Sequence, residues 1–362
     1  MAQRSRLWIV GACAVLLVAS VAWESSAASL SSSSAAADNE KPTKLTVLCT
    51  VEERWCAAQT AAFQSKTGIT TTYVRLSGGD AVAALNDTNA KPPFSVWWGG
   101  SADGYVAAKA DGSLEPYKSP NAVNVPRSLK DAGGYWTGIY IGVLGFCSNR
   151  AKLAEASVAV PRSWSDLLDP ALKDQVSIAH PATSGTAYTE LWTQMTLNKL
   201  DEQATFEYLR DLDENVSEYT VSGSAPVEAV AKGDATVGVV FAHDCVAAIA
   251  DGARDLVLSF PREGTGSEIG ATALIKRGPD PAAARRWIDW ALTAKAQEVG
   301  ARVRAYQLPI NPKAKVSRFS TDLDKLKLVD YDFVKAGKRR AALTELFTTS
   351  VAPVPPETEP AG

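Results

Sequence analysis

Histidine is scarce in this chain, whose 362 residues include only His180 and His243. The sequence also has no Gly-x-Ser-x-Gly elbow, Walker loop, dinucleotide-binding glycine fingerprint or His-Glu-x-x-His motif. His243 and Asp244 are neighbours in sequence, so their side chains diverge, and no nucleophile is identifiable as a third partner. Hydrolytic and metal-dependent catalysis are therefore disfavoured, and we expect a protein that is not an enzyme.

An excess of positive charge is also missing, because 37 Lys and Arg residues face 40 Asp and Glu residues, which gives a net charge of −3. Proteins that bind nucleic acid usually carry a basic excess that neutralises phosphates. We therefore expect small solutes or proteins as partners, and no nucleic acid.

The N-terminus has the composition of an export signal. Arg4 and Arg6 precede an apolar run at 7–23, and small residues follow it. The run is long for a signal core and short for a membrane span, so residues 1–28 are predicted to be a signal peptide or a retained membrane anchor. Either reading places the body in the periplasm or at the cell surface. A flexible linker at 29–42 and a disordered, proline-rich tail at 351–362 are also predicted.

Four cysteines follow this segment, namely Cys49, Cys56, Cys147 and Cys245. An even number of cysteines in an oxidising compartment makes two disulfides plausible, with three possible pairings. A strand that ends at Cys49, followed closely by a helix, favours Cys49–Cys56 and leaves Cys147–Cys245. Four buried free thiols are the alternative, and no spacing resembles a zinc site.

The body has the pattern of an α/β fold with a largely parallel sheet, because apolar, β-branched segments alternate with segments of helical period. Its 46% hydrophobic content and ten tryptophans suit a large core, and its length suggests about two domains. Strands are predicted at 45–49, 69–76, 95–98, 138–147, 175–179, 235–241, 256–259 and 271–275. Helices are predicted at 52–66, 104–111, 165–168, 186–200, 202–212, 226–232, 244–251 and 281–301.

Turns rich in glycine, serine and threonine recur after these strands, at 77–79, 99–101, 184–186, 222–224 and 264–266. In an open α/β sheet, the carboxyl ends of the strands and the helix N-termini beyond them form the ligand crevice. Such turns present backbone N–H groups and hydroxyls to an anion. Each turn alone also fits an ordinary helix cap, but five together indicate an anion-binding crevice.

Several motifs occur in an order that resembles a known family. They include Val-Trp-Trp-Gly-Gly-Ser-Ala-Asp at 96–103, Ser-Gly-Thr-Ala-Tyr at 184–188 and Phe-Ala-His-Asp at 241–244. Together with 45–56, 114–117, 135–138, 161–170, 219–226, 263–266 and 306–309, they resemble the extracellular solute-binding proteins of bacterial ABC importers, in the ferric-iron-type branch. The resemblance covers about residues 43 to 315.

This resemblance implies a type II periplasmic-binding-protein fold. Two lobes, each a mostly parallel sheet flanked by helices, would be joined by hinge strands and close on a ligand. Lobe 1 is expected at 43–143 plus 270–350, and lobe 2 at 144–269. The protein would be a monomer that delivers its solute to an ABC permease. A ligand-binding protein that reports to a membrane sensor is an alternative.

The family's iron-binding members carry two adjacent tyrosines after the strand predicted here at 235–241. This sequence has His243-Asp244 at that place and no adjacent tyrosine pair, and no early His or Glu ligand is evident near Thr50 or Trp98. Iron binding is therefore the alternative ligand hypothesis. Relatives with His-Asp at this place resemble proteins that bind sugar phosphates and organophosphates.

The resemblance to those relatives implies a set of site residues. Serine and threonine turns would hold the phosphate, and the polyol would be held by His-Asp and a glutamate. The phosphate candidates are Ser77, Ser101, Ser184, Thr186 and Ser222, and the polyol candidates are His243, Asp244 and Glu268. Trp98, Gly185 and Glu263 are further candidates, whereas Arg75, inside a predicted strand, fits a surface ion pair better. We expect no metal and no cofactor.

Overall fold

The computed structural model of the protein describes residues 43–86 and 91–356. The predicted signal or anchor, the linker and the last six residues of the predicted tail lie outside the described residues. The described residues belong to one compact unit. No helix in the described ranges has both the length and the apolar character needed to cross a membrane.

A mixed β-sheet organises the described part of the chain. Its strands are β1 (Lys44–Cys49), β2 (Thr70–Arg75), β3 (Val96–Ser101), β4 (Leu114–Glu115), β5 (Thr137–Asn149), β6 (Val176–Ala179), β7 (Val216–Thr220), β8 (Val237–Phe241), β9 (Leu256–Ser259), β10 (Ser267–Ile275) and β11 (Leu308–Pro309). The order across the sheet is β2-β1-β3-β10-β5-β8-β6-β7. The outer strands pair in parallel, as predicted, whereas β10 and β5 pair antiparallel with their neighbours in the middle.

Strand β5 connects two parts of this sheet. Its first residues pair with β10 and β11, and its last residues pair with β8 and β9. We call β1–β4, β10 and β11 the first half of the sheet, and β6–β9 the second half. Nearly every residue of β5 is buried, because helices cover both faces of the sheet around it.

Helices flank the sheet. They are α1 (Glu53–Thr67), α2 (Gly78–Asn86), α3 (Ala102–Ala110), α4 (Arg150–Glu155), α5 (Gly185–Leu197), α6 (Glu202–Asp213), α7 (Ala225–Lys232), α8 (Ala242–Ala250), α9 (Pro281–Ala291), α10 (Ala294–Gln297), α11 (Val299–Arg302) and α12 (Phe333–Ser350). Helix α1 is followed by its cap residue Gly68, whose φ of 74° is the left-handed conformation that favours glycine. The predicted helix 165–168 is a 3-10 turn, Trp164–Leu168.

Some elements differ from the sequence prediction. The single helix predicted at 281–301 is three shorter helices, α9 to α11, because Thr293 interrupts it and caps α10 by accepting a hydrogen bond from the Ala296 amide (3.3 Å). Strands β4, β7 and β11 and helices α2, α4 and α12 were not predicted. Helix α12 buries Leu343 and Phe347 against α5 and α6, so it forms through tertiary packing.

The beginning of the predicted disordered tail also packs on the body. Ala352 is buried beside Phe347, and its carbonyl oxygen lies 3.0 Å from His180 Nε2. His180 is itself buried and contacts the ring of Phe347 edge-on. The prediction of disorder is therefore wrong for this residue, because a buried histidine gains a backbone partner there.

Both favoured disulfides, Cys49–Cys56 and Cys147–Cys245, are present. The first connects the end of β1 to the first turn of α1, and the second connects β5 to α8. This confirms the pairing and excludes the alternative of four free thiols.

Candidate ligand-binding site

A cavity of about 550 Å³, a volume that includes some open solvent, lies where the carboxyl ends of several strands meet the beginnings of the following helices. This is the crevice position expected for an open α/β sheet. Its wall comes from both halves of the sheet and is formed by Thr50, Val51, Glu52, Arg75, Leu76, Ser77, Gly78, Gly100, Ser101, Tyr140, Ser184, Gly185, Thr186, Ser222, Gly223, Ser224, Phe241, His243, Asp244, Glu268 and Gln307.

One part of the wall consists of helix N-termini. Helix α5 begins at Gly185, and its cap residue Ser184 accepts a hydrogen bond from the Ala187 amide (3.3 Å). The amides of Gly185 and Thr186 belong to the first turn, where N–H groups have no partner within the helix. Helices α2 and α7 also begin at this wall. Their dipoles make this part of the cavity favourable for an anion.

Three turns approach one another closely at these N-termini, which only glycine permits. A Cβ atom on Gly223 would lie 2.0 Å from Thr186 Oγ1 and 2.7 Å from Ser184 Oγ. A Cβ atom on Gly78 would lie 3.2 Å from the amide nitrogen of Gly185. A Cβ atom on Gly185 itself would meet no atom within 4 Å. The turns therefore surround open space with backbone and hydroxyl groups.

Ionisable side chains form a second part of the wall. His243 Nε2 lies 3.8 Å from Glu52 Oε1 and 3.7 Å from Asp244 Oδ1. Gln307 Nε2 donates a hydrogen bond to the same Glu52 oxygen (3.3 Å). Glu268 comes from β10 and is 4% exposed. The cap residue before α1, the first turn of α8 and strand β10 thus bring three carboxyl groups and one imidazole together.

Burial sets the protonation of this group of residues. It lowers the pKa of His243 to about 4, so the imidazole is neutral at pH 7. Burial and the nearby Glu52 carboxylate raise the pKa of both Asp244 and Glu268 well above the ordinary values. A neutral imidazole both donates and accepts hydrogen bonds, and carboxyl groups accept them from hydroxyl or amino groups.

Ser101 reaches the cavity from a buried ionic network. Its hydroxyl donates to Asp103 Oδ2 (2.6 Å), and Arg340 Nη1 donates to Asp103 Oδ1 (2.6 Å). The Arg340 guanidinium also lies over the ring of Tyr188 on α5, 4.3 Å from its centroid. The Ser101 proton is therefore directed away from the cavity, and its oxygen lone pairs remain as acceptors.

Most residues predicted for the site line this cavity, namely Ser77, Ser101, Ser184, Gly185, Thr186, Ser222, His243, Asp244 and Glu268. Trp98 does not, because helices cover both faces of β3; it is 2% exposed and contacts Trp55 edge-on at 5.0 Å. Glu263 does not line it either. Its carboxylate accepts a hydrogen bond from the Ser163 hydroxyl, and Ser163 is not part of the cavity wall.

Sequence reasoning missed several wall residues, above all Glu52, Tyr140 and Gln307. It assigned Arg75 to a surface ion pair, whereas the Arg75 side chain lines the cavity and its Nε donates to the Val51 carbonyl. Glu52 stands two residues after Thr50, a place where the sequence made no early His or Glu ligand evident, and it lines the cavity. The signal that could have found it is its place between the end of β1 and the start of α1, the same place that the serine turns occupy. Tyr140 and Gln307 have no such local signal.

The chain matches a bacterial protein family and a protein of Haemophilus influenzae. The profile of the family described as "Bacterial extracellular solute-binding protein" matches residues 103–336. An "Uncharacterized protein" of Haemophilus influenzae is 37% identical over 316 residues, which are 85% of this chain and 90% of that protein.

Two solved structures resemble this one closely. The periplasmic binding protein AfuA from Actinobacillus pleuropneumoniae, solved with exogenous fructose-6-phosphate bound, has a TM-score of 0.83 and 34% identity, with 86% of this chain and 99% of that chain covered. The periplasmic binding protein P5PA has a TM-score of 0.81 and 31% identity, with 85% and 99% covered.

Proposed function

We propose that this chain, which belongs to the bacterial extracellular solute-binding protein family, captures a small phosphorylated polyhydroxy solute for uptake. Proteins of this family are exported and deliver small solutes to ABC permeases, and the type II periplasmic-binding-protein fold is theirs. The chemical class of the ligand, in contrast, is inferred from this chain's own residues. The observation that carries it is the division of one cavity wall into an anion-binding part and a part rich in hydrogen-bond acceptors.

The first part suits a phosphate. The amides of Gly185 and Thr186 are free to donate, and the turns at 77–79 and 222–224 lie beside them. The exposed Arg75 lines the same wall, with its Nε donating to the Val51 carbonyl (3.0 Å), and contributes positive charge. A phosphoryl group there would take hydrogen bonds from several first-turn amides at once.

The second part suits hydroxyl groups. Asp244 and Glu268 accept hydrogen bonds, and neutral His243 offers one donor or acceptor on each ring nitrogen. AfuA, the relative with 34% identity, was solved with fructose-6-phosphate, a ligand of the same class. This likeness supports the assignment and leaves the particular solute open.

Closure of two lobes would enclose the ligand. The proposed lobes, 43–143 plus 270–350 and 144–269, divide the chain within β5 and β10, so these two strands would be the hinge strands. Residues of both halves line the cavity, so a ligand in contact with both would favour the closed arrangement.

Iron remains the second candidate because of one observation. Glu52, His243 and Asp244 offer three ligand atoms that lie within 4.8 Å of one another, a set that could hold a metal ion as cargo. The described cavity wall supplies a single phenol, Tyr140, to such an ion.

The test is thermal melting of the purified chain with fructose 6-phosphate, glucose 6-phosphate, the free sugars, inorganic phosphate and ferric citrate. A ligand that binds only the folded state stabilises it by RT ln(1 + [L]/Kd). We expect a rise in melting temperature with a sugar phosphate and none with the free sugar. An equal rise with the sugar phosphate and with the free sugar would contradict the phosphate site. A rise with ferric citrate alone would assign the cavity to iron.

A further inference from the structure

The acidic part of the cavity has more carboxyl groups than the recognition of a neutral polyol requires. Glu52, Asp244 and Glu268 line it together, and in residues 43–86 and 91–356 no lysine or arginine forms an ion pair with any of them. Buried carboxylates are normally paired with a cation or share a proton, because an isolated buried charge is costly. This inference rests on the proposed function and concerns the end of the ligand opposite to its phosphate.

Glu268 is the clearest case of an uncompensated carboxyl group. It is 4% exposed, it lines the cavity, and no hydrogen bond reaches its carboxylate from the described part of the chain. Its Oε1 lies 2.8 Å from where a Cβ atom on Gly142 would stand, so the backbone of β5 closes one side of it. The two charged groups that act on it, Glu52 and Asp103, are both carboxylates.

Asp244 is in a similar position. Its carboxyl group lies within hydrogen-bonding reach of the Glu52 carboxylate, so either a proton or a cation has to stand between the two. The cation that acts on Asp244 is Arg54, but that guanidinium is bonded to Asp251 (3.1 Å) and to the Arg304 carbonyl (3.3 Å). Its charge is therefore already shared.

Two further buried acceptors lack a donor in this part of the wall. Gln307 is 8% exposed, and its Oε1 receives no hydrogen bond from the described residues; the same holds for Glu52 Oε2. Gln307 stands beside Glu52 in the cavity wall. A hydroxyl group brings one proton to such a place, whereas a protonated amine brings three and a positive charge.

We infer that the solute carries a protonated amino group in addition to its phosphate, and that Glu52, Asp244 and Glu268 surround this amino group. The ligand class is then an aminated sugar phosphate or an aminoalkyl phosphate. The ammonium would neutralise the carboxylates and take up the unpaired acceptors, while the helix N-termini hold the phosphate.

Matched ligand pairs test this in the purified chain by isothermal titration at pH 7.5 with EDTA present. The pairs are glucosamine 6-phosphate against glucose 6-phosphate, and phosphoethanolamine against 2-hydroxyethyl phosphate. We expect the amino ligand to bind at least tenfold more tightly in one pair or both. Equal or tighter binding of the hydroxyl ligand in both pairs overturns the inference but leaves the proposed function standing. Absence of binding by all four, and by fructose 6-phosphate, overturns the proposed function itself.

Variants separate a specific charge effect from a general one. Glu268→Gln keeps the shape of the side chain and removes its charge, so the preference for the amino ligand is expected to fall below threefold. Glu155→Gln, on the exposed side of α4, changes the net charge equally and is expected to keep the preference. A preference unchanged in Glu268→Gln overturns the inference. So does binding of the amino ligands only when EDTA is replaced by a divalent metal ion, because the carboxylates then hold that ion.

Discussion

The amide of Gly79 donates a 2.7 Å hydrogen bond to the carbonyl oxygen of Thr183. This bond joins α2, which follows β2 of the first half, to the loop between β6 of the second half and α5. A Cβ atom on Gly79 would stand 2.0 Å from the Ala182 carbonyl oxygen, so the contact depends on glycine. The Ser77 hydroxyl reaches the same carbonyl. The two halves therefore meet backbone to backbone at the edge of the cavity.

Gly79→Ala is expected to weaken ligand binding at least tenfold and to leave the fold intact. The added methyl group meets backbone that cannot move away while the halves are in contact, whereas alanine is favourable within α2 itself. Titration with the ligand identified by melting measures the effect, and unfolding without ligand provides the control. An unchanged Kd would mean that binding does not require this contact.

Ser184→Ala is expected to reduce the preference for the phosphorylated over the free sugar by about fivefold. The hydroxyl caps α5 and lies beside the Thr186 side chain, so its loss weakens both the cap and the anion-binding wall, each by about 1 kcal/mol. Affinities for the sugar phosphate and the free sugar, measured on the same variant, give the ratio. A ratio equal to that of the wild type would place the phosphate elsewhere.

Asp244→Ala is expected to weaken binding about 100-fold, because truncation leaves ligand donors unpaired inside the cavity, at a cost of about 3 kcal/mol. His243→Ala should behave alike, since the imidazole belongs to the same group. The matched control is Asp255→Ala, because Asp255 is an exposed aspartate before β9. This variant should bind the ligand with the affinity of the wild type. Equal binding by the wild type, both cavity variants and the control would remove this part of the site.

The two disulfides are expected to differ in their effect on stability. Cys147–Cys245 spans 98 residues and Cys49–Cys56 spans 7. In the chain-entropy model, removing the longer connection costs about 4.7 kcal/mol and the shorter one about 2.5 kcal/mol. Urea unfolding of the two double Cys→Ala variants measures this difference.

The longer disulfide should also influence binding, because Cys245 directly follows Asp244 at the start of α8. We expect weaker ligand binding in the Cys147/Cys245 double variant even where it is fully folded. Full affinity under those conditions would show that packing alone holds α8 in place.

Glu190 is expected to make stability fall as pH rises. It is buried in α5 with Oε1 unpaired, and burial raises its pKa to about 8. Because the folded state keeps a proton that the unfolded state loses near pH 4.5, the contribution of Glu190 is complete below that pH and is lost as pH rises through about 8. The loss amounts to roughly 5 kcal/mol, since the pKa rises from 4.5 to about 8 and each pKa unit corresponds to about 1.4 kcal/mol. Denaturant titrations from pH 5 to 9 should show this slope in the wild type and a smaller one in Glu190→Gln. Equal slopes of stability against pH in the wild type and in Glu190→Gln would contradict the assignment of this effect to Glu190.

Local sequence signals were sufficient for most of the fold. Alternating apolar and helical segments predicted β1, β8 and α5 within a few residues, because the period of a strand or helix is written in adjacent side chains. They failed at α12, whose helical state depends on packing of Leu343 and Phe347 against distant helices.

The candidate site divides in the same way. The sequence by itself determined the glycine-serine turns, the His243-Asp244 pair and the cysteines, because each is a short motif whose chemistry follows from its own residues. Only the tertiary structure decided which of these turns converge, that Trp98 lies in the core, and that Glu52, Tyr140 and Gln307 join the cavity wall. These last facts depend on strand order and on contacts between residues far apart in the chain, which no local period encodes.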